Sequence, residues 1–217
     1  MISRKFLDSL HSTDPNRLST MRGYYEILNF LNLGYELGNC LEVGCGSIYS
    51  PSFNLFSTHP QEDILWRCKT YTGIDISLEA AKNAKLNSYR VLQASGSNLP
   101  FKNLSFNTSI AVETLSQCGS EATKVVKELG RVTLNEIYIL TTHRDAGIKY
   151  KGKGRVFQDN DELTIIAHSD PEIGSFSYFT EESLINLLNK QGFRILEQII
   201  FKNDNTQEKI FIAASRI

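Results

Sequence analysis

The chain has 217 residues, 41% of them hydrophobic, and a net charge of −1, enough to bury one full core and to be read as a single domain over 1–217. Balanced charge leaves no global basic field of the kind that draws proteins onto phosphate backbones, which argues against nucleic acid as a partner. No apolar run is long enough to cross a bilayer and the N-terminal stretch MISRKFLDSLHSTDPN lacks the apolar core of a secretory signal, so no membrane partner and a cytoplasmic location are expected. Cys40, Cys45, Cys68 and Cys118 form no C-x-x-C pair, which points to reduced thiols and no metal site. Nothing in the sequence speaks to oligomeric state.

In chain order, residues 20–37 carry Tyr24, Ile27, Leu28, Leu31 and Leu33 at helical intervals, predicting a helix that packs on a sheet as part of an N-terminal cap over 1–38. Its Tyr24 and Tyr25 fit core or surface packing better than closure over a ligand. LEVGCGS at 41–47 ends a buried strand on Gly44 and Gly46, where the backbone must turn sharply and can be approached closely. Between 47 and 69, Pro51, Pro60 and the run STHPQED interrupt any helix, leaving an irregular crossover with at most a short helix over 51–56. KTYTGIDIS at 69–77 reads as a second strand ending in Asp75, followed by a helix over 78–86 with Ser77 as cap and Glu79 in its first turn.

Further on, residues 92–106 give a strand and loop, 106–117 a fourth strand and loop, 121–129 a helix and 136–142 a fifth strand. Residues 145–178 are too long for a plain connection and read as a small hairpin or lid over a pocket. Lys149, Lys151, Lys153 and Arg155 within it read as a solvated charged loop more readily than as an acidic-ligand site. Thr180 caps a helix through Lys190 that closes at Gly192, and 193–201 and 208–215 are two last strands.

Asp75 and the glycine turn belong at the same edge of a parallel sheet, where open α/β folds bind ligands. A carboxylate there can accept two hydrogen bonds from ribose hydroxyls, so the pair reads as a nucleoside site. A dinucleotide fits poorly. The third-glycine position of G-x-G-x-x-G is Tyr49, and Asp75 follows Gly46 by about 29 positions where that fingerprint puts its acidic residue about 20 on.

These residues resemble the class I S-adenosylmethionine-dependent methyltransferases, within them the small-molecule group of the ubiquinone-biosynthesis type, from about residue 39 to 217. The turn Glu42-Val43-Gly44-Cys45-Gly46 matches the family's acidic-x-Gly-x-Gly motif beside the methionine part of the cofactor. Asp75 matches the residue that holds the ribose, with Ile76 beside the adenine. LQASGSNLPFKNLSF at 92–106 resembles the loop along the adenine, placing Ser95, Gly96 and Ser97 there, and FNTSIAVETLSQ at 106–117 resembles the strand and loop facing the transferred methyl, with Val112 on the cofactor.

The resemblance implies a Rossmann-like, mostly parallel seven-stranded sheet with one antiparallel strand and helices on both faces. It further implies S-adenosylmethionine as cofactor, S-adenosylhomocysteine as product and a small-molecule methyl acceptor. Ser95, Asn107 and Gln117 depart from the family's usual aspartates and histidine, and they motivate the alternative of a non-catalytic protein that binds a nucleoside or a partner. No Asn-Pro-Pro-Tyr run follows the fourth strand, removing the best signature of amino-directed nucleic-acid methylation.

Methyl transfer asks mainly for alignment and dryness, and for a base only where the acceptor must lose a proton. His143, just past the fifth strand, is the first candidate base, against the reading of a structural histidine bonded to its own loop. Glu113 is the second candidate, as a sulfonium-pocket wall or alternative base, with His168 and Tyr178 behind it.

Overall fold

The protein is described from a computed structural model covering residues 17–31, 35–46, 60–86, 89–149, 154–167, 174–202 and 208–217. The expected helix over 51–56, Tyr49, Lys151, Lys153 and His168 lie outside these residues. The elements are α1 (Arg17–Phe30), β1 (Gly38–Val43), α2 (Pro60–Trp66), β2 (Cys68–Asp75), α3 (Leu78–Leu86), β3 (Val91–Gln93), β4 (Phe106–Val112), α4 (Ala122–Val132), β5 (Thr133–Thr142), α5 (Arg144–Lys149), β6 (Arg155–Asp159), β7 (Thr164–Ala167), β8 (Ser175–Tyr178), α6 (Glu181–Lys190), β9 (Phe193–Lys202) and β10 (Glu208–Arg216).

Seven strands form one sheet in the order β3-β2-β1-β4-β5-β10-β9. β1 to β5 pair in parallel, and β10 runs antiparallel to both β5 and β9, so it is the single reversed strand. The reversal of order at β1 opens a crevice at the carboxyl edge, where helices leave in opposite directions.

Side-chain alternation builds a core on each face. Ile137 and Ile139 of β5 and Ile210 and Ile212 of β10 turn to one side, against Val125 and Leu129 of α4 and Leu184 and Leu188 of α6. Tyr138 and Leu140, with Phe211 and Ala213, turn to the other, against Tyr24, Ile27 and Ile64 of α1 and α2. Helices therefore cover both faces, as a mostly parallel sheet demands.

Two expectations needed correction. Pro60 does not interrupt a helix but begins α2, since a first-turn position wastes no hydrogen bond on the missing N–H. Residues 145–178 hold more than a hairpin: α5 is followed by a three-stranded antiparallel sheet, β6-β7-β8. Ile165 of this sheet, and Leu163 just ahead of β7, join the main hydrophobic cluster with Leu115 and Val125, and the Ser177 hydroxyl donates to the Leu115 carbonyl. The insert is bolted to the domain through its apolar face.

Candidate active site

A cleft of about 740 Å³, its open mouth included, lies along the carboxyl ends of β1, β2, β3 and β4. Gly44, Asp75, Ile76, Ser95, Gly96, Ser97, Val112 and Glu113 all line it. Glu42, Cys45, Gly46 and His143 do not.

Local chain geometry explains the glycine turn. Gly44 has φ +73 and a Cβ there would collide with Thr114, whose hydroxyl donates to the Val43 carbonyl over 2.7 Å. The Gly44 and Cys45 amides donate to Ile74 O at 2.8 and 3.1 Å, tying the turn to β2. Gly46, at φ +62, aims its amide at Asp75 Oδ2 over 2.9 Å, and the Ser77 amide meets Oδ1 at 2.8 Å. Two backbone donors thus orient the Asp75 carboxylate, and each oxygen keeps a lone pair for a ligand hydroxyl. That is the fit a nucleoside ribose requires, and the side-chain-free approach at Gly44 leaves room for what is attached to it.

The loop after β3 is held by a clamp that the sequence reading missed. Arg131 forms a two-point pair with Glu128, Nε to Oε1 at 2.7 Å and Nη2 to Oε2 at 2.8 Å, and donates to Phe101 O at 2.8 Å and Leu99 O at 3.1 Å. Glu128 also accepts from the Leu99 amide at 2.8 Å. Arg131 beside it holds the Glu128 carboxyl below its ordinary value. Ser95, in the place of an aspartate, exchanges a hydrogen bond with Ser97 at 3.0 Å within the cleft.

Glu42 sits beneath the turn rather than on the cleft wall. Its carboxylate is buried and accepts from the Tyr24 hydroxyl, from the Tyr71 hydroxyl at 2.6 Å and from Gln61 Nε2 at 3.1 and 3.2 Å. Gln61 reaches on to the Cys45 carbonyl at 3.2 Å, so the cluster fastens α1 and α2 to the glycine turn. Burial pushes Glu42 above the ordinary carboxylate value while the three donors pull it back. The Cys45 side chain is also buried, against Ala81 and Val91, and burial raises its thiol, which removes it from nucleophilic use.

At the other end of the cleft, β4 is followed by Glu113, a non-glycine residue at φ +55. That conformation costs on the order of 1 kcal/mol or more. Lys209 Nζ of β10 lies 2.7 Å from Glu113 Oε1 and donates to Thr142 Oγ1 at 2.8 Å, while Thr142 Oγ1 is 3.3 Å from Glu113 Oε2. Lys209 is 4% exposed. Tyr178 of β8 belongs to the same neighbourhood: burial and then the Glu113 carboxylate push its phenol up to about 12, so it keeps its proton.

His143 is occupied elsewhere. Its Nδ1 accepts from the Asp145 amide at 3.2 Å, which leaves Nε2 to donate to Glu181 Oε2 at 3.0 Å. Nδ1 is committed to the start of α5 and Nε2 to α6, and the ring takes no part in the cleft lining. Asn107 stands at the far end of β4, accepting from the Asn39 amide at 2.9 Å; its departure from the family pattern has no bearing on the cleft. Gln117 does line it.

A doubly wound sheet with a glycine turn and a backbone-held carboxylate sharing one carboxyl-edge cleft defines a nucleoside-binding α/β protein. Comparison narrows the class. Residues 41–140 match the family described as Methyltransferase domain. No curated protein sequence matches the chain significantly. Among solved structures, Burkholderia thailandensis 1,6-didemethyltoxoflavin-N1-methyltransferase, with 1,6-didemethyltoxoflavin and S-adenosylhomocysteine bound, is similar at TM-score 0.68 and 16% identity, covering 98% of this chain and 86% of that one. Magnesium protoporphyrin IX methyltransferase from Synechocystis PCC 6803, with bound S-adenosylmethionine, gives 0.63 at 13% identity over 93% and 81%. The [4+2]-cyclase SpnF gives 0.61 at 13% identity over 90% and 80%. Residues 41–140 are thus a methyltransferase domain by that match, and the chain as a whole shares the fold of these S-adenosylmethionine-dependent methyltransferases.

Proposed function

We propose that the cleft binds S-adenosylmethionine with its ribose on Asp75, its adenine between Ile76 and the Ser95-Gly96-Ser97 loop, and its methionine end at Gly44, Val112 and Glu113, for methyl transfer to a small-molecule acceptor. The observation that carries this reading is the shared cleft of Gly44 and Asp75, with both Asp75 oxygens pre-oriented by backbone amides. The sulfonium supplies a methyl on a good leaving group. This chain's part is to orient the cofactor, hold the acceptor in line and keep water out.

The acceptor enters beside Glu113, on the opposite side of the glycine turn from Asp75 in the sheet order. Where the acceptor must shed a proton, Glu113 is the group placed to take it, in preference to His143. Tyr178 keeps its proton and serves as a donor on the same side. A small acceptor is supported by the β6-β7-β8 sheet, which packs on the turn after β4.

Calorimetric titration with S-adenosylmethionine and S-adenosylhomocysteine tests the reading, and micromolar binding of both is expected. Absence of heat and of any thermal shift at millimolar ligand rejects it. A second reading, a nucleoside-binding protein without methyl transfer, is favoured by Ser95 in place of an aspartate and by the likeness to a cyclase. Binding without S-adenosylhomocysteine release across a panel of hydroxyl, amine and carbon acceptors would select it.

A further inference from the structure

We propose that Lys209 is a positioning residue that sets the charge of the cleft wall at Glu113, and through it the balance between the cationic methyl donor and its neutral product. The inference rests on the assignment of the cleft to S-adenosylmethionine.

Three carboxylates line the cleft, and each is handled differently. Asp75 takes two backbone amides. Glu121 pairs with Lys124 at 2.9 Å, a lysine side chain 61% exposed and therefore screened by water and salt. Glu113 pairs with Lys209, buried at the root of β10, where no solvent weakens its field. The φ of +55 at Glu113 and the hydroxyl of Thr142, shared between the two partners, hold the carboxylate on the lysine.

The sheet order puts this pair at the sulfur end of a ligand whose ribose lies on Asp75. Donor and product differ there by one positive charge and one methyl group. A bare Glu113 carboxylate would favour the sulfonium over the thioether, a bare Lys209 would do the reverse, and the pair cancels both preferences. Product is then released from, and donor admitted to, a wall of nearly balanced charge.

The test is the ratio of dissociation constants for S-adenosylmethionine and S-adenosylhomocysteine, measured calorimetrically for the full chain and for Glu113→Gln, Lys209→Met, Lys209→Arg and the Glu113→Gln/Lys209→Met pair. Glu113→Gln is expected to weaken donor relative to product by on the order of tenfold, and Lys209→Met to strengthen it by a similar factor. Lys209→Arg and the double variant should return to within about threefold of the parent ratio. A purely structural pair would weaken both ligands together in every variant. Ratios that stay flat, or single variants that shift the same way, overturn the proposal while leaving the cofactor assignment intact; a parent protein that binds neither ligand overturns both. Should Lys209→Met fail to fold, Glu113→Gln carries the sign of the effect, with the double variant, which leaves neither charge alone, as its reference.

Discussion

The two ends of the cleft are built in different ways. At the nucleoside end the functional carboxylate is fixed by its own neighbourhood: Asp75 takes the amide two residues on and the amide of the adjacent glycine turn. At the end proposed for the acceptor, Glu113, Thr142, Tyr178 and Lys209 come from four separate strands or strand ends, with an ion pair rather than backbone at their centre. A site made of backbone tolerates little change and is shared by proteins with unrelated acceptors. A site made of side chains on separate strands can be altered one residue at a time.

The largest expected effect falls on the nucleoside end. Asp75→Ala removes two charge-assisted hydrogen bonds worth about 2 kcal/mol each, so affinity for S-adenosylhomocysteine should drop roughly a thousandfold. A loss under tenfold by calorimetry would break the contrast. At the acceptor end, Lys209→Met should cost about 3 kcal/mol in urea unfolding because it strands a buried carboxylate, and the double variant with Glu113→Gln should recover most of that.

Gly44→Ala should destabilise by about 2 kcal/mol. Adding Thr114→Ala separates its two causes: partial recovery assigns the cost to the collision, and none assigns it to the positive φ.

A smaller effect distinguishes the two supports of the nucleoside end by the sign of their pH dependence. Glu128 is held below its ordinary value by Arg131, so its contribution is complete above the usual carboxylate range near about 4.3 and is lost as pH falls through the depressed value. Glu42 is held above it by burial, so the parent loses stability as pH rises from that range through the raised value. In urea titrations between pH 3 and 7, the deficit of Glu128→Gln should shrink toward acid, and Glu42→Gln should gain on the parent toward neutrality. The smallest effect is expected for His143→Asn: affinity for S-adenosylhomocysteine within about twofold of the parent, with about 1 kcal/mol of lost stability.

The sequence carried the nucleoside end because its parts sit in short motifs. Gly44, Asp75, Ile76, the Ser95 loop and Val112 were all readable from a strand followed by a turn, and the structure brings them to one cleft. Glu42 and Cys45 share those motifs yet face inward, Glu42 taken up by Tyr24, Tyr71 and Gln61 and Cys45 packed with Ala81 and Val91. His143 misled for a related reason: its place past β5 was right, but α6 and the Asp145 amide, which claim its ring, are tertiary facts. Lys209 left one trace, a charge at the head of the apolar run 210–214 of a strand buried on both faces. Its partner lies 96 positions earlier, and only the sheet order joins them. The Arg131 clamp was equally silent, being an ordinary helical i,i+3 pair until the loop at 99–103 folds over it.

The reversed direction of β10 settles how the acceptor end can vary. A parallel strand there would present its last residues at the carboxyl edge, whereas β10 presents its first, Glu208 and Lys209, opposite Thr142. Sliding that strand by a single residue against β5 would send the lysine to the far side of the sheet and bring isoleucine or glutamate into its slot. Changes in the length of the β9–β10 connection would therefore act as a coarse dial on the wall at Glu113, one that turns without disturbing the Asp75 carboxylate four strands away.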